Sequence, residues 1–183
     1  GDYLIITHPF LYNGAGGSNP IADYKTYRSG IAGGGFNAKV FEIDELVDQF
    51  AFGIKKHPSS IRNFLRWARS TYSVAPKFVL LIGHGVVYDQ YRYYESNPDL
   101  EKLNLVPTFG VPASDVLLSA EIGGQIPLTP IGRLSAINAG EVANYLVKVK
   151  QYDNAQQSPS PYIQDKGWMK NVVHAVGGNE PIL

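Results

Sequence analysis

Two short runs, Tyr3-Leu4-Ile5-Ile6-Thr7 and Val79-Leu80-Leu81-Ile82, are apolar on both faces. A strand that alternates apolar and polar residues can leave one face in water, but these two cannot. Each therefore reads as an inner strand of a parallel sheet covered by helices on both sides. The second run ends in Gly83-His84-Gly85, a glycine-framed turn that carries a histidine. An apolar strand delivering a histidine to such a turn can present a general base, and a base of that kind needs a nucleophile to activate. The chain contains no cysteine.

The rest of the chain alternates strand and helix signals. Asn19-Pro20 is a cap residue followed by proline at the first helical position. Ile21, Tyr24, Tyr27, Arg28 and Ile31 follow at roughly helical spacing, until Gly33-Gly34-Gly35 stops the helix. Ala38 to Ile43 reads as a second strand and Asp44 to Phe50 as a short helix. His57-Pro58-Ser59-Ser60 opens a longer helix with Ile61, Phe64, Leu65, Ala68 and Tyr72 on its apolar face and Arg62, Asn63, Arg66 and Arg69 on the other. The third strand is Phe78 to Ile82.

Helical periodicity disappears between Gly83 and Pro130, where five prolines punctuate the chain. A loop that long is unusual in a compact domain, so short strands or hairpins are expected around Thr108–Val111 and Val116–Ala120. A fourth main strand falls near Pro130–Arg133. Asn138-Ala139-Gly140-Glu141 has the form of a capping box and opens a helix with Val142, Tyr145, Leu146, Val149 and Tyr152 on one face. Trp168 leads into an expected last strand, Asn171 to Val176. The expected fold is three-layer α/β/α with a mainly parallel sheet. Its ligands belong at the carboxyl ends of the strands, near Thr7-His8, Gly83-His84-Gly85 and Gly177-Gly178-Asn179-Glu180. A strand running into Gly-Gly normally continues into another element, so Leu183 is expected to mark a cut or processing point.

Charge and motif content exclude several functions. The 183 residues include sixteen basic and sixteen acidic side chains, for a net charge of zero, which offers no electrostatic reason to bind nucleic acid. No apolar run approaches a bilayer span. Gly14-Ala15-Gly16-Gly17 follows a strand and precedes a helix, but its glycines are wrongly spaced for a dinucleotide loop, even with Asp44 after the second strand. His8, His57, His84 and His174 are dispersed and lack metal-ligand spacing, so no metal or other cofactor is expected. No Gly-x-Ser-x-Gly elbow occurs, and nothing marks Ser114 or Ser135 as activated. Without a thiol, His84 reads as a turn residue that hydrogen-bonds the loop Val86 to Tyr91.

The order of motifs resembles peptidase family C25, the gingipain-type cysteine peptidases, and within it the branch containing the sortase of the type IX secretion system. Asp2 to Pro9 resembles the opening strand, and Ala22-Asp23-Tyr24-Lys25-Thr26-Tyr27-Arg28 the next helix. Val40 to Gly53 and Ser60-Ile61-Arg62-Asn63-Phe64-Leu65 follow. Phe78 to Gly83 is similar to the "Tyr-Val-Leu-Leu-x-Gly" strand. Val106-Pro107-Thr108, Ser114-Asp115, Ile131-Gly132-Arg133-Leu134 and Trp168 to His174 come after it in family order.

The resemblance implies a caspase/gingipain-like subdomain, residues 1–183, forming the first and non-catalytic half of a two-subdomain peptidase domain. The catalytic histidine and cysteine would lie in a carboxyl-terminal catalytic subdomain of the same polypeptide, acting by Cys-His cleavage or transpeptidation on protein or peptide substrates. The parent would be extracellular or on the cell surface. The family has Gly-Asp where this chain has Gly83-His84, so His84 does not match its catalytic histidine. Calcium is bound in gingipains, but Gln125, Ile126, Pro127 and Leu128 replace the acids found before the Ile-Gly-Arg strand. By resemblance Glu180 is the acid that orients the catalytic histidine, on the same edge as His84, with Ile182 and Leu183 on an apolar surface left by the missing half. The alternative is a non-catalytic α/β binding or scaffold module.

Overall fold

The computed structural model describes residues 1–157, 160 and 162–173. Four parallel strands, β1 (Tyr3–Thr7), β2 (Ala38–Glu42), β3 (Phe78–Ile82) and β4 (Ile131–Leu134), form one sheet in the order β2-β1-β3-β4. Tyr3 to Thr7 pair in register with Ala38 to Glu42 on one side and with Phe78 to Ile82 on the other. Val79 to Ile82 pair with Ile131 to Leu134. The two all-apolar runs are thus the inner strands, and every residue of β1 is buried.

Their alternation sorts the core into two halves. Tyr3, Ile5, Leu80 and Ile82 face helices α1 (Pro20–Ser29) and α7 (Ala139–Gln157), meeting Ile21, Tyr24, Val142 and Leu146. Leu4, Ile6, Val79 and Leu81 face α2 (Ile43–Phe50) and α3 (Ser59–Thr71), meeting Leu46, Ile61, Phe64 and Leu65. The period-two side-chain direction of a strand makes this division unavoidable once both faces are covered. The result is an α/β fold with an all-parallel sheet flanked by helices, as the strand signals predicted.

The helix starts follow their cap signals. Asn19 Oδ1 accepts from the Ile21 and Ala22 amides, and Pro20 fills the first helical position. Glu141 N donates to Asn138 Oδ1 at 3.0 Å, while the Glu141 carboxylate accepts from the Ile137 amide and the Asn138 side chain. An Arg28–Asp153 ion pair, joined by Tyr27 Oη, ties α1 to α7.

Four expectations are corrected. Helix α1 ends at Ser29, before Gly30, so Ile31 falls in a following 3-10 turn and is 97% exposed instead of continuing the apolar stripe. The stretch after β3 holds helices α4 (Tyr88–Tyr93), α5 (Pro98–Leu103) and α6 (Val116–Ser119) in place of hairpins. Thr108 and Phe109 are irregular and lead into a turn at 110–113, with Gly110 at φ +85°, and the one bridge in the region joins Ala120 to Pro127. Prolines 107 and 112 remove ladder donors there, and Leu118 is drawn into the core by helical packing against α3. Gln164–Lys170 is a 3-10 helix, and Asn171–Val173 is irregular and exposed where a strand was expected. The rest of that expected strand lies outside the described residues.

No helix is long and apolar enough to cross a membrane among the described residues. Phe64 is 1% exposed at the centre of the α3 interface. Phe64→Ala should therefore cost about 3–5 kcal/mol in urea unfolding, whereas Ile31→Ser should change stability by less than about 0.5 kcal/mol.

Candidate functional site

In an open parallel sheet the place to look is the carboxyl edge at the point where strand order reverses. Here that point lies between β1 and β3, which carry Thr7-His8 and Gly83-His84-Gly85. Thr7 Oγ1 crosses the gap and donates to the Ile82 carbonyl at 2.9 Å.

The Gly-His-Gly turn is built by packing. Its backbone is held by Gly83 N to Leu134 O, His84 N to Ala136 O, and Leu105 N and Val106 N to His84 O, all at 2.9–3.0 Å. Gly83 sits at φ +143°, and a Cβ there would lie 2.8 Å from Val106 Cγ2. A Cβ on Gly85 would lie 2.6 Å from the Val106 carbonyl and 3.1 Å from Arg133 Nη1. Both glycines are thus required by close approach, independent of chemistry at His84.

Beside Gly85 lies the Arg133 guanidinium, and all five of its N–H donors are engaged. Nε and Nη2 grip the Asp115 carboxylate in a bidentate pair, each at 2.7 Å. Nη1 donates to the carbonyls of Gly83 and Val106, both at 2.7 Å, and Nη2 to Pro107 O at 3.1 Å. The Arg133 side chain is 11% exposed. Sequence reading missed this cluster, although Val106-Pro107, Ser114-Asp115 and Ile131-Gly132-Arg133 had been singled out separately.

The described histidines are each committed through Nδ1. His84 Nδ1 donates to Leu103 O at 3.1 Å, so it braces the loop after α5 and not the Val86–Tyr91 segment assigned to it from sequence. His8 Nδ1 accepts from Phe10 N at 3.1 Å, with Nε2 3.6 Å from Asp44. His57 Nδ1 accepts from Ser59 N at 3.1 Å and caps α3. No serine hydroxyl is bonded to a histidine ring, and no group of three or more His, Asp or Glu is placed to hold a metal ion, among the described residues. His174, Glu180, Ile182 and Leu183 lie outside the described residues, as does the expected juxtaposition of Glu180 with His84.

A cavity of about 400 Å³ opens at the same edge, bounded by His8, Phe10, Lys56, Leu103 and Ile137. Burial lowers the His8 imidazole below its ordinary value of 6.5, the nearby Lys56 ammonium adds to this, and Asp44 opposes it. Burial lowers His57 in the same way, assisted by Arg92. Both are disfavoured as cations in the fold, so the unfolded chain takes up protons first.

Two outcomes follow. Stability contributed by His8 and His57 is complete above pH 6.5 and is lost as pH falls below it through their folded values. Urea midpoints should therefore drop on acidification across that window, and the drop should shrink in His8→Asn. Gly85→Ala should cost about 1–3 kcal/mol by overpacking, and more than His84→Ala, which removes one hydrogen bond worth about 1 kcal/mol.

The strand order, the two-sided helical cover and the absence of any cysteine nucleophile are features of the chain itself. Searches of curated proteins and of solved structures gave no match. The model of peptidase family C25 matches residues 1–181, so the chain belongs to that family.

Proposed function

We propose that this chain is the amino-terminal, non-catalytic subdomain of a C25 cysteine peptidase. In this reading it supplies one wall of the substrate cleft and a rigid platform for a second subdomain that carries the Cys-His pair. The carrying observation is the combination of family membership over residues 1–181 with a total lack of cysteine. A thiolate is the nucleophile of such enzymes, and no side chain in the described residues stands in for it. Support also comes from the surroundings of His84, since no serine hydroxyl is bonded to a histidine ring among the described residues.

The parent enzyme is assigned protein or peptide substrates, a secreted or surface location, and the sortase branch of the type IX secretion system. The motif order through Ile131-Gly132-Arg133-Leu134 supports the family, and the branch rests on sequence resemblance alone. Glu180 is assigned as the acid that orients the catalytic histidine across the subdomain boundary, a role suited to a carboxylate that fixes an imidazole tautomer.

The isolated chain should not hydrolyse arginyl or lysyl peptide substrates and should not react with a thiol-directed covalent peptidase probe. Turnover that survives purification and disappears in His84→Ala would overturn the assignment. In a polypeptide carrying both subdomains, Glu180→Gln should lower kcat with the unfolding midpoint unchanged. An unchanged rate would remove Glu180 from the mechanism.

A further inference from the structure

The cavity between the ends of β1 and β3 is unexplained by the peptidase reading. Its volume of about 400 Å³ falls within the range of small-molecule sites. Phe10, Leu103 and Ile137 bound it, and each is exposed by a third or more, although large apolar side chains are usually withdrawn from water. Its polar lining is Lys56, which is only 4% exposed, together with His8, Glu101 and Lys102.

A lysine this deeply buried ordinarily has a partner. Two carboxylates act on Lys56 from nearby, Asp44 on α2 and Glu101 on α5. Neither lies within ion-pair distance of Lys56, and Glu101 is engaged elsewhere. Asp44 lies 3.6 Å from His8 Nε2. Glu101 accepts from Lys55 Nζ at 3.0 Å and from Tyr91 Oη at 2.8 Å. Lys56 itself forms no side-chain hydrogen bond or ion pair among the described residues. Burial lowers its basicity, as an ammonium short of compensation requires. Lys102 and Glu101 also border the cavity, and because Glu101 is already paired with Lys55, the two lining ammonium groups face one carboxylate that is held by a third lysine.

We propose that this cavity binds an organic carboxylate with an apolar body. The carboxylate meets the Lys56 ammonium, and the body lies against Phe10, Leu103 and Ile137. A charge-assisted hydrogen bond in a site largely removed from water is strong, and it gives the buried cation the partner it lacks. The apolar walls favour an aromatic or branched aliphatic body over a small inorganic anion. Two sources offer this chemistry, a free aryl-alkyl acid and the carboxyl terminus of a peptide that ends in an apolar residue.

The test is titration of the isotope-labelled chain, read by amide chemical shifts, with phenylpropionate, N-acetylphenylalanine and N-acetylphenylalaninamide. The two acids should produce saturable shifts at His8, Phe10, Lys56 and Leu103, and the amide should bind at least about tenfold more weakly. Lys56→Met should weaken N-acetylphenylalanine by at least about tenfold and leave the amide unchanged. Ile137→Trp, which adds bulk at the mouth and keeps Lys56, should weaken both. Preference for N-acetylphenylalanine over phenylpropionate identifies a peptide terminus as the ligand, and the reverse identifies a free acid. Equal binding of acid and amide, or no saturable shift with either acid, overturns the proposal. If Lys56→Met does not fold, the acid-against-amide comparison on the unaltered chain decides. None of these outcomes bears on where the peptidase nucleophile resides.

Discussion

The Arg133 guanidinium is the contact on which the carboxyl edge of this sheet depends. It projects from β4, which pairs with β3 alone among the described residues, into a region where the chain has wandered through three short helices since leaving β3. Backbone pairing cannot order that region, because its prolines deny it a ladder. One planar cation does so instead, joining the carbonyls of Gly83, Val106 and Pro107 to the carboxylate of Asp115. Lysine could not replace it, since a single ammonium offers three donors at a point and not five in a fixed fork. Gly85 follows from the same contact, because it must let Val106 and Arg133 approach, while Gly83 is required by the Val106 and Leu105 side chains.

This arrangement separates two meanings of the turn. A glycine-framed histidine after a central strand invites a catalytic reading, yet each feature of it has a packing cause here. His84 braces Leu103, its carbonyl receives two amides from Leu105 and Val106, and its neighbours are small because the Val106 side chain lies against Gly83 and the Val106 carbonyl and Arg133 guanidinium against Gly85. The edge holds the sheet's long connection in place whatever chemistry the turn does or does not perform. The logic of the turn is structural, and the edge is available for other uses, including the carboxylate site inferred at Lys56.

The sheet was legible because its evidence is local: Leu4 to Ile6 and Val79 to Ile82 have no polar face, and Asn19-Pro20 and Asn138 to Glu141 are cap signals read at short range. The region from Gly83 to Pro130 was misread for a related reason. Asn97-Pro98 is the same cap signal as Asn19-Pro20, with Asn97 Oδ1 accepting from Asp99 N at 2.9 Å, but the six-residue helix it starts is too short to show periodicity. The Arg133 cluster and the Lys56 cavity were invisible because each joins residues from separate elements. Lys56 reads as an ordinary surface lysine beside Lys55, and its burial arises only when α2, α5 and the turn after β1 meet. Glu180, assigned by resemblance alone, falls outside the described residues.

The claim that one arginine organises this edge is tested most directly by a double-mutant cycle on Arg133→Ala and Asp115→Ala, read by urea unfolding. Both side chains are less than a quarter exposed and meet through two 2.7 Å bonds. The account predicts a coupling energy of at least about 1.5 kcal/mol, with the Leu105 and Val106 amides losing hydrogen-exchange protection in either single variant. Additivity of the two substitutions, with protection at Leu105 and Val106 unchanged, would contradict it.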